Sequence, residues 1–142
     1  MKFCFIDSNI IVYANDFSNS HKQARAIEVI KYLMRTQAGV ISTQVMQEYA
    51  NVALTKLGQE SSVVLRQLKL LEDLTIAPIT TKTTRRAVEL KITYHISFWD
   101  ANIIAAAEMA DCDVILSEDL NAGQLYAGLE MINPFTQQVP GY

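Results

Sequence analysis

Four carboxylates stand where apolar segments begin or end. Asp7 follows the run Phe3-Cys4-Phe5-Ile6, and Glu48 sits within Thr43-Gln44-Val45-Met46-Gln47-Glu48-Tyr49. Asp100 lies in Phe98-Trp99-Asp100-Ala101-Asn102-Ile103-Ile104, and Asp119 follows Val114-Ile115-Leu116 within Ser117-Glu118-Asp119-Leu120. A carboxylate with apolar neighbours on both sides is costly to bury as a charge unless a cation compensates it. If the fold gathers the four, the natural compensation is a hard divalent cation, which prefers carboxylate oxygens. Metal acting on phosphate is then the chemistry to expect.

Each acid also has a structural explanation when taken alone. Asp7 and Asp119 are placed to cap the turns that follow their strands. Asp100 stands three residues after Ser97, the capping-box spacing. Glu48 has the option of pairing with a lysine across a helix contact. Capping alone accounts poorly for four such acids with no obvious buried basic partner.

The elements that must position them are legible in outline. Residues 2–7 read as a buried strand. A helix from Ser20, as cap, to about Gln37 carries Ala26, Ile27, Ile30, Leu33 and Met34 on one face. Gly39 leads into a short strand at Val40-Ile41, and a helix from Thr43 ends at Gly58. Its stripe is Val45, Met46, Tyr49, Val52 and Ala53, which Glu48 borders. A helical period returns over 60–74. Thr75 to Ile79 reads as a strand, which Pro78 places at an edge or near a strand end. Helices at 82–94 and 97–110 precede a strand from Asp113 to Leu116 and a last one from Leu129 to Ile132. Such alternation implies a three-layer α/β/α sandwich around a central parallel sheet. Ligands of such sheets bind beyond the carboxyl ends of the strands, at the switch in winding direction. Asp7 and Ser117 to Asp119 share one crevice if the first and fourth strands are neighbours.

The chain of 142 residues is 50% apolar and 19% charged, which fits one compact domain spanning 1–142. Its apolar runs are short and interrupted, far from the ~20 residues of a membrane-spanning helix. Neither a signal-peptide cleavage site nor a membrane segment is evident, so a cytoplasmic location is the expectation. Cys4 and Cys112 read as free thiols, and His21 and His95 lie outside any zinc-like spacing. The net charge of −3 argues against a broad basic face for gripping nucleic acid, although it is compatible with a nuclease whose acids hold metal. The basic residues Lys82, Arg85, Arg86 and Lys91 read as a solvated helix face.

The segments Phe5-Ile6-Asp7-Ser8-Asn9-Ile10-Ile11-Val12-Tyr13-Ala14, the Glu48 helix, Phe98 to Ala107 and Leu116 to Leu120 together resemble a PIN-domain ribonuclease. Within that family the chain is most similar to the VapC-type toxins of bacterial toxin–antitoxin pairs. The resemblance runs over nearly the whole chain in the same order. It implies that Asp7, Glu48, Asp100 and Asp119 are the catalytic, metal-binding acids, with Mg²⁺ or Mn²⁺ as cofactor. It implies supporting roles for Ser8, Asn9 and Ser117, the last standing where threonine is commoner; Glu118 is an extra acid beside Asp119. The implied activity is endonucleolytic hydrolysis of RNA by metal-activated water, leaving a 5′-phosphate and a 3′-hydroxyl. A cognate antitoxin and a homodimer are implied partners.

Two other readings stay open on the residues alone. A phosphatase with an aspartate nucleophile also begins with an acid after its first strand. It usually places a second acid two residues on, where this chain has Asn9, and it needs a neutralising lysine that no position identifies. A non-catalytic interaction module could retain the same fold.

Overall fold

The computed structural model describes residues 1–142. In chain order the elements are β1 (Cys4–Ile6), α1 (Ser8–Ala14), α2 (Ser20–Arg35), β2 (Gly39–Ser42), α3 (Thr43–Thr55) and α4 (Ser61–Leu71). They continue with β3 (Thr75–Ala77), α5 (Thr81–Tyr94), α6 (Phe98–Met109), β4 (Val114–Leu116), β5 (Leu125–Tyr126) and β6 (Leu129–Ile132). The strands form one sheet in the order β3-β2-β1-β4-β6-β5, parallel throughout except for β5. This is the expected α/β architecture, with helices flanking a central and mostly parallel sheet.

The central strands are continuous apolar runs because both faces of a parallel sheet are covered. Every residue of β1 and β4 is buried. From β1 the chain winds outward through β2 to β3, then crosses back to β4 on the other side of β1. Right-handed crossovers therefore place α1 to α4 on one face and α5 with α6 on the other. The helix contacts agree: α1 packs on α2 and α3, α3 on α4, and α5 on α6. Helix α6 is buried continuously from Ala101 to Ala107, as expected of a helix that is apolar all round.

The switch in winding direction falls between β1 and β4. Their register pairs Ile6 with Leu116, so Asp7 and Ser117 leave the sheet side by side. The Asp7 amide still donates to the Leu116 carbonyl, at 3.0 Å. The condition set on the crevice, that the first and fourth strands be neighbours, is met.

Several details differ from the sequence expectations. The first strand is shorter, and residues 8–14 form a helix of their own. Asn19, not Ser20, caps α2, accepting the Lys22 amide at 3.2 Å. An additional strand, β5, joins β6 through the two-residue turn Ala127-Gly128, both residues having positive φ (51° and 82°). That sign at both turn positions suits the twist of a tight hairpin. β3 lies at the sheet edge, as Pro78 implied. Cys4 and Cys112 are free, and burial pushes their thiols up to about 11 and about 12. No helix is long and apolar enough to cross a membrane.

Gly39 shows how closely β2 packs. A Cβ there would lie 2.6 Å from Leu74 Cδ2 and 3.0 Å from Leu33 Cβ. The Leu74 tip can turn away, but the Leu33 Cβ moves only with its helix. Gly39→Ala is therefore expected to cost about 1–3 kcal/mol. Denaturant unfolding measures this, and an unchanged midpoint would show that α2 shifts freely.

Candidate active site

Asp7 is the fixed point of the site. It is only 7% exposed and serves as N-cap of α1, accepting the Ser8 amide on Oδ1 at 2.7 Å. Its Oδ2 accepts the Ser117 hydroxyl at 2.8 Å and, more weakly, the Asn9 amide at 3.4 Å. Burial pushes this carboxyl up to about 6, even though the bonds from Ser117 and Ser8 favour the charged form. The negative fields of Glu48 and Asp119 raise it further. Capping and clustering thus occur in the same residue.

Ser117, fully buried at the end of β4, organises the turn that carries Asp119. Its Oγ donates to Asp7 and receives the amides of Asp119 at 3.1 Å and Leu120 at 3.4 Å. Asn9 joins the two strand ends. Its Nδ2 reaches Asp119 Oδ2 at 3.0 Å and Ser117 Oγ at 3.2 Å, while its Oδ1 receives the Glu118 amide at 3.3 Å. Asn9 and Ser117 therefore fix both acids, whereas Asp119 is exposed and caps no helix.

Glu48 comes from α3 and is half-buried. Burial raises its pKa, the side chains of Ser8 and Gln44 oppose that rise, and the Asp100 charge adds to it. Asp100 lies in the first turn of α6. Ser97 caps that helix by accepting the Asp100 amide at 3.1 Å, while the Asp100 carboxylate returns no bond to Ser97. The capping-box alternative for this acid is thus not realised. Ser97→Ala is expected to lower stability by about 1 kcal/mol, and Asp100→Ala to leave the melting temperature in chelator equal to or above wild type. Clear destabilisation by Asp100→Ala would restore the capping role.

The fields link the acids in a chain, Asp119 to Asp7, Asp7 to Glu48 and Glu48 to Asp100. None of the four takes part in an ion pair with lysine or arginine. As the side chains stand, no three His, Cys, Asp or Glu groups converge closely enough to share an ion. The groove at this end of the sheet is lined by Ser8, Asn9, Glu118 and Asp119, with Asp7 buried behind them. Glu48 and Asp100 do not line it.

The extra acid, Glu118, is held elsewhere. It accepts the Tyr13 hydroxyl at 2.7 Å and a very short bond from the Lys22 ammonium. Burial would raise Glu118, but the bonds from Lys22 and Tyr13 outweigh it and hold the carboxyl below its usual range. Lys22 and Tyr13 were not expected near the site. Lys22 lies 96 residues from Glu118 in sequence, a pairing that no local spacing reveals. A buried polar link between α3 and α6 was also hidden: Asn102 donates to Gln44 Oε1 at 2.6 Å, leaving its own Oδ1 unpartnered.

Known proteins share the fold that carries these residues. The model of the PIN domain matches residues 4–127, so the chain belongs to the PIN-domain family. A toxin–antitoxin complex from Klebsiella pneumoniae contains a chain 20% identical, with a TM-score of 0.68, over 92% of this chain and 97% of that one. VapBC2 from Rickettsia felis, bound to a DNA fragment from its promoter, matches at 18% identity and TM-score 0.67, over 91% and 96%. VapC20 of Mycobacterium tuberculosis, described as a Sarcin-Ricin loop cleaving toxin, matches at 16% identity and TM-score 0.64, over 82% and 91%. At these identities the likeness is one of fold. A search of curated proteins finds no match to the sequence.

Proposed function

We propose that this protein is a divalent-metal-dependent endoribonuclease and the toxin of a toxin–antitoxin pair. The observation that carries the reading is Asp7, a buried carboxyl at the switch point, raised to about 6 and facing other acids without a basic partner. Glu118, by contrast, is matched by the ammonium of Lys22. An uncompensated cluster of hard oxygen donors fits Mg²⁺ or Mn²⁺. Glu48, Asp100 and Asp119 are partly or fully exposed, so their side chains have room to turn toward a shared ion.

In this reading Asp7, Glu48 and Asp100 hold the metal, with Asp119 completing the set. Bound Mg²⁺ or Mn²⁺ would supply a Lewis acid that lowers the pKa of water and offsets charge on a phosphodiester. The chain's own residues do the positioning. Ser117 and the Ser8 amide fix both oxygens of Asp7, Asn9 turns Asp119 toward the same side, and Ser8 steadies Glu48. Lys22 removes Glu118 from competition by neutralising it.

The toxin assignment, with a cognate antitoxin as partner, draws on the named toxin–antitoxin complexes of the same fold, while a homodimer as the working form draws on the family resemblance alone. An unpaired RNA loop as target draws on the relative that cleaves the Sarcin-Ricin loop. Incubation with structured RNAs, with and without Mg²⁺ or Mn²⁺, tests the chemistry. Cleavage is expected only with metal, leaving 5′-phosphate and 3′-hydroxyl ends. Products ending in a 2′,3′-cyclic phosphate, or cleavage undiminished in chelator, would refute it.

A further inference from the structure

We propose that the groove beside Asp119 is a subsite for one unpaired nucleotide of the RNA, its base stacked on Phe17 and its phosphate drawn to Lys56. The inference rests on the ribonuclease reading above and adds to it where the substrate lies. The groove has a volume of about 910 Å³. Its lining includes Val12 of α1 and Phe17 beyond it, Val52 of α3 and Lys56 just after it, and Asn9 and Asp119 of the strand-end cluster. It is thus continuous with the acids at the switch point and large enough for a ligand of nucleotide size.

Phe17 is 84% exposed, so its ring is open to a ligand in the groove it lines. The chain around it is held in place. Asp16 Oδ1 accepts the Ser18 amide at 3.0 Å and the Ser18 hydroxyl at 2.6 Å, closing a tight turn at Phe17. The two walls are also tied together. Tyr49 donates its hydroxyl to Gln59 Oε1 at 2.9 Å, and Gln59 Nε2 donates to Asn15 Oδ1 at 3.3 Å. The backbone that carries Phe17 and the opposite wall are therefore spaced before any ligand arrives, which reduces the ordering cost of binding.

Asp16, Glu118 and Asp119 line the groove with Lys56, so the exposed ring of Phe17, more than charge, selects a nucleotide. In the reading above Asp119 is offset by metal, while Asp16 is engaged by Ser18. Lys22 already neutralises Glu118, the acid at the inner wall. Lys56 is the one cation lining the groove and belongs to no ion pair. A phosphate is the complement to that ammonium, and an unpaired base is the complement to an exposed aromatic ring.

The test reads binding separately from cleavage. Asp7→Asn protein is mixed with an eight-residue oligouridine carrying 5-iodouridine, irradiated, and its crosslink mapped by mass spectrometry, while fluorescence anisotropy gives Kd. The crosslink is expected at Phe17. Adding Phe17→Ala should raise Kd roughly tenfold, in line with loss of one stacked base, and Phe17→Trp should restore it to within about twofold. Adding Lys56→Gln should weaken binding and lower the salt dependence by about one ion. Crosslinks confined to other surfaces, or unchanged Kd in Phe17→Ala, would overturn the subsite. Unchanged RNA binding in Phe17→Ala together with lost binding of an oligoarginine peptide would also overturn it, assigning the groove to a basic peptide. Cleavage of the oligonucleotide by the Asp7→Asn protein would count against the ribonuclease mechanism, while the Phe17 crosslink remains readable.

Discussion

Asp7→Asn is expected to lower metal-dependent RNA cleavage at least roughly a hundredfold, while making the metal-free protein more stable at neutral pH. The two effects share one cause. In the folded protein the carboxyl titrates at about 6, against an ordinary value of 3.8, because it is buried among other acids. Below 3.8 both folded and unfolded chains carry the proton, and no penalty applies. As pH rises from there through about 6, the unfolded chain releases its proton more readily, and stability is lost. Above that range the loss is complete. At about 1.4 kcal/mol per pKa unit, the ceiling is about 3 kcal/mol. Asparagine keeps the cap on Ser8 but disturbs the bond from Ser117, so a net gain on the order of 2 kcal/mol is expected. Urea unfolding in chelator at pH 7.5 and pH 4 measures it: the gain should be present at the first and absent at the second. A variant that is destabilised at both, and still cleaves, would make Asp7 a helix cap and nothing more.

The second large effect concerns metal and stability in the wild type. An ion bound only by the folded state stabilises by about 2.7 kcal/mol when present at a hundredfold over its Kd. Mn²⁺ is therefore expected to raise the melting temperature by several degrees at pH 7.5. The rise should fade at pH 5, below the value of about 6 at which Asp7 takes up its proton. Glu48→Gln should reduce the metal response at pH 7.5, whereas Glu118→Gln should leave it intact, because Glu118 is already committed to Lys22. Equal responses in all three proteins would place the metal elsewhere.

Sequence and structure agree most closely where chemistry is local. The buried runs of β1 and β4, the edge position implied by Pro78, and the strand-end positions of Asp7 and Asp119 all follow from neighbouring residues. Helix α1 was legible only as a turn capped by Asp7, because the β-branched run Ile10-Ile11-Val12 weakens the helical signal. The Asp7 cap and burial of Ile10 and Ile11 decide the matter in the fold. The β5–β6 hairpin was hidden because Ala127-Gly128 is a weaker turn signal than Asn-Gly. Its Ala127 amide is held by the Tyr94 hydroxyl at 2.8 Å, a contact 33 residues away in sequence. The same limit applies at the site. The acids announce themselves by their apolar flanks, while Lys22, Gln59 and the Gln44–Asn102 link depend on contacts that only folding creates.

On the proposed reading these four acids hold divalent metal, and direct Mn²⁺ titration tests that most simply. Free Mn²⁺ would be followed by electron paramagnetic resonance at pH 7.5 for the wild type, Asp7→Asn, Glu48→Gln, Asp100→Asn and Glu118→Gln. Saturable binding is expected for the wild type and Glu118→Gln, and strongly weakened binding for the other three. Saturable binding that survives unchanged in Asp7→Asn and Glu48→Gln would contradict the proposed reading.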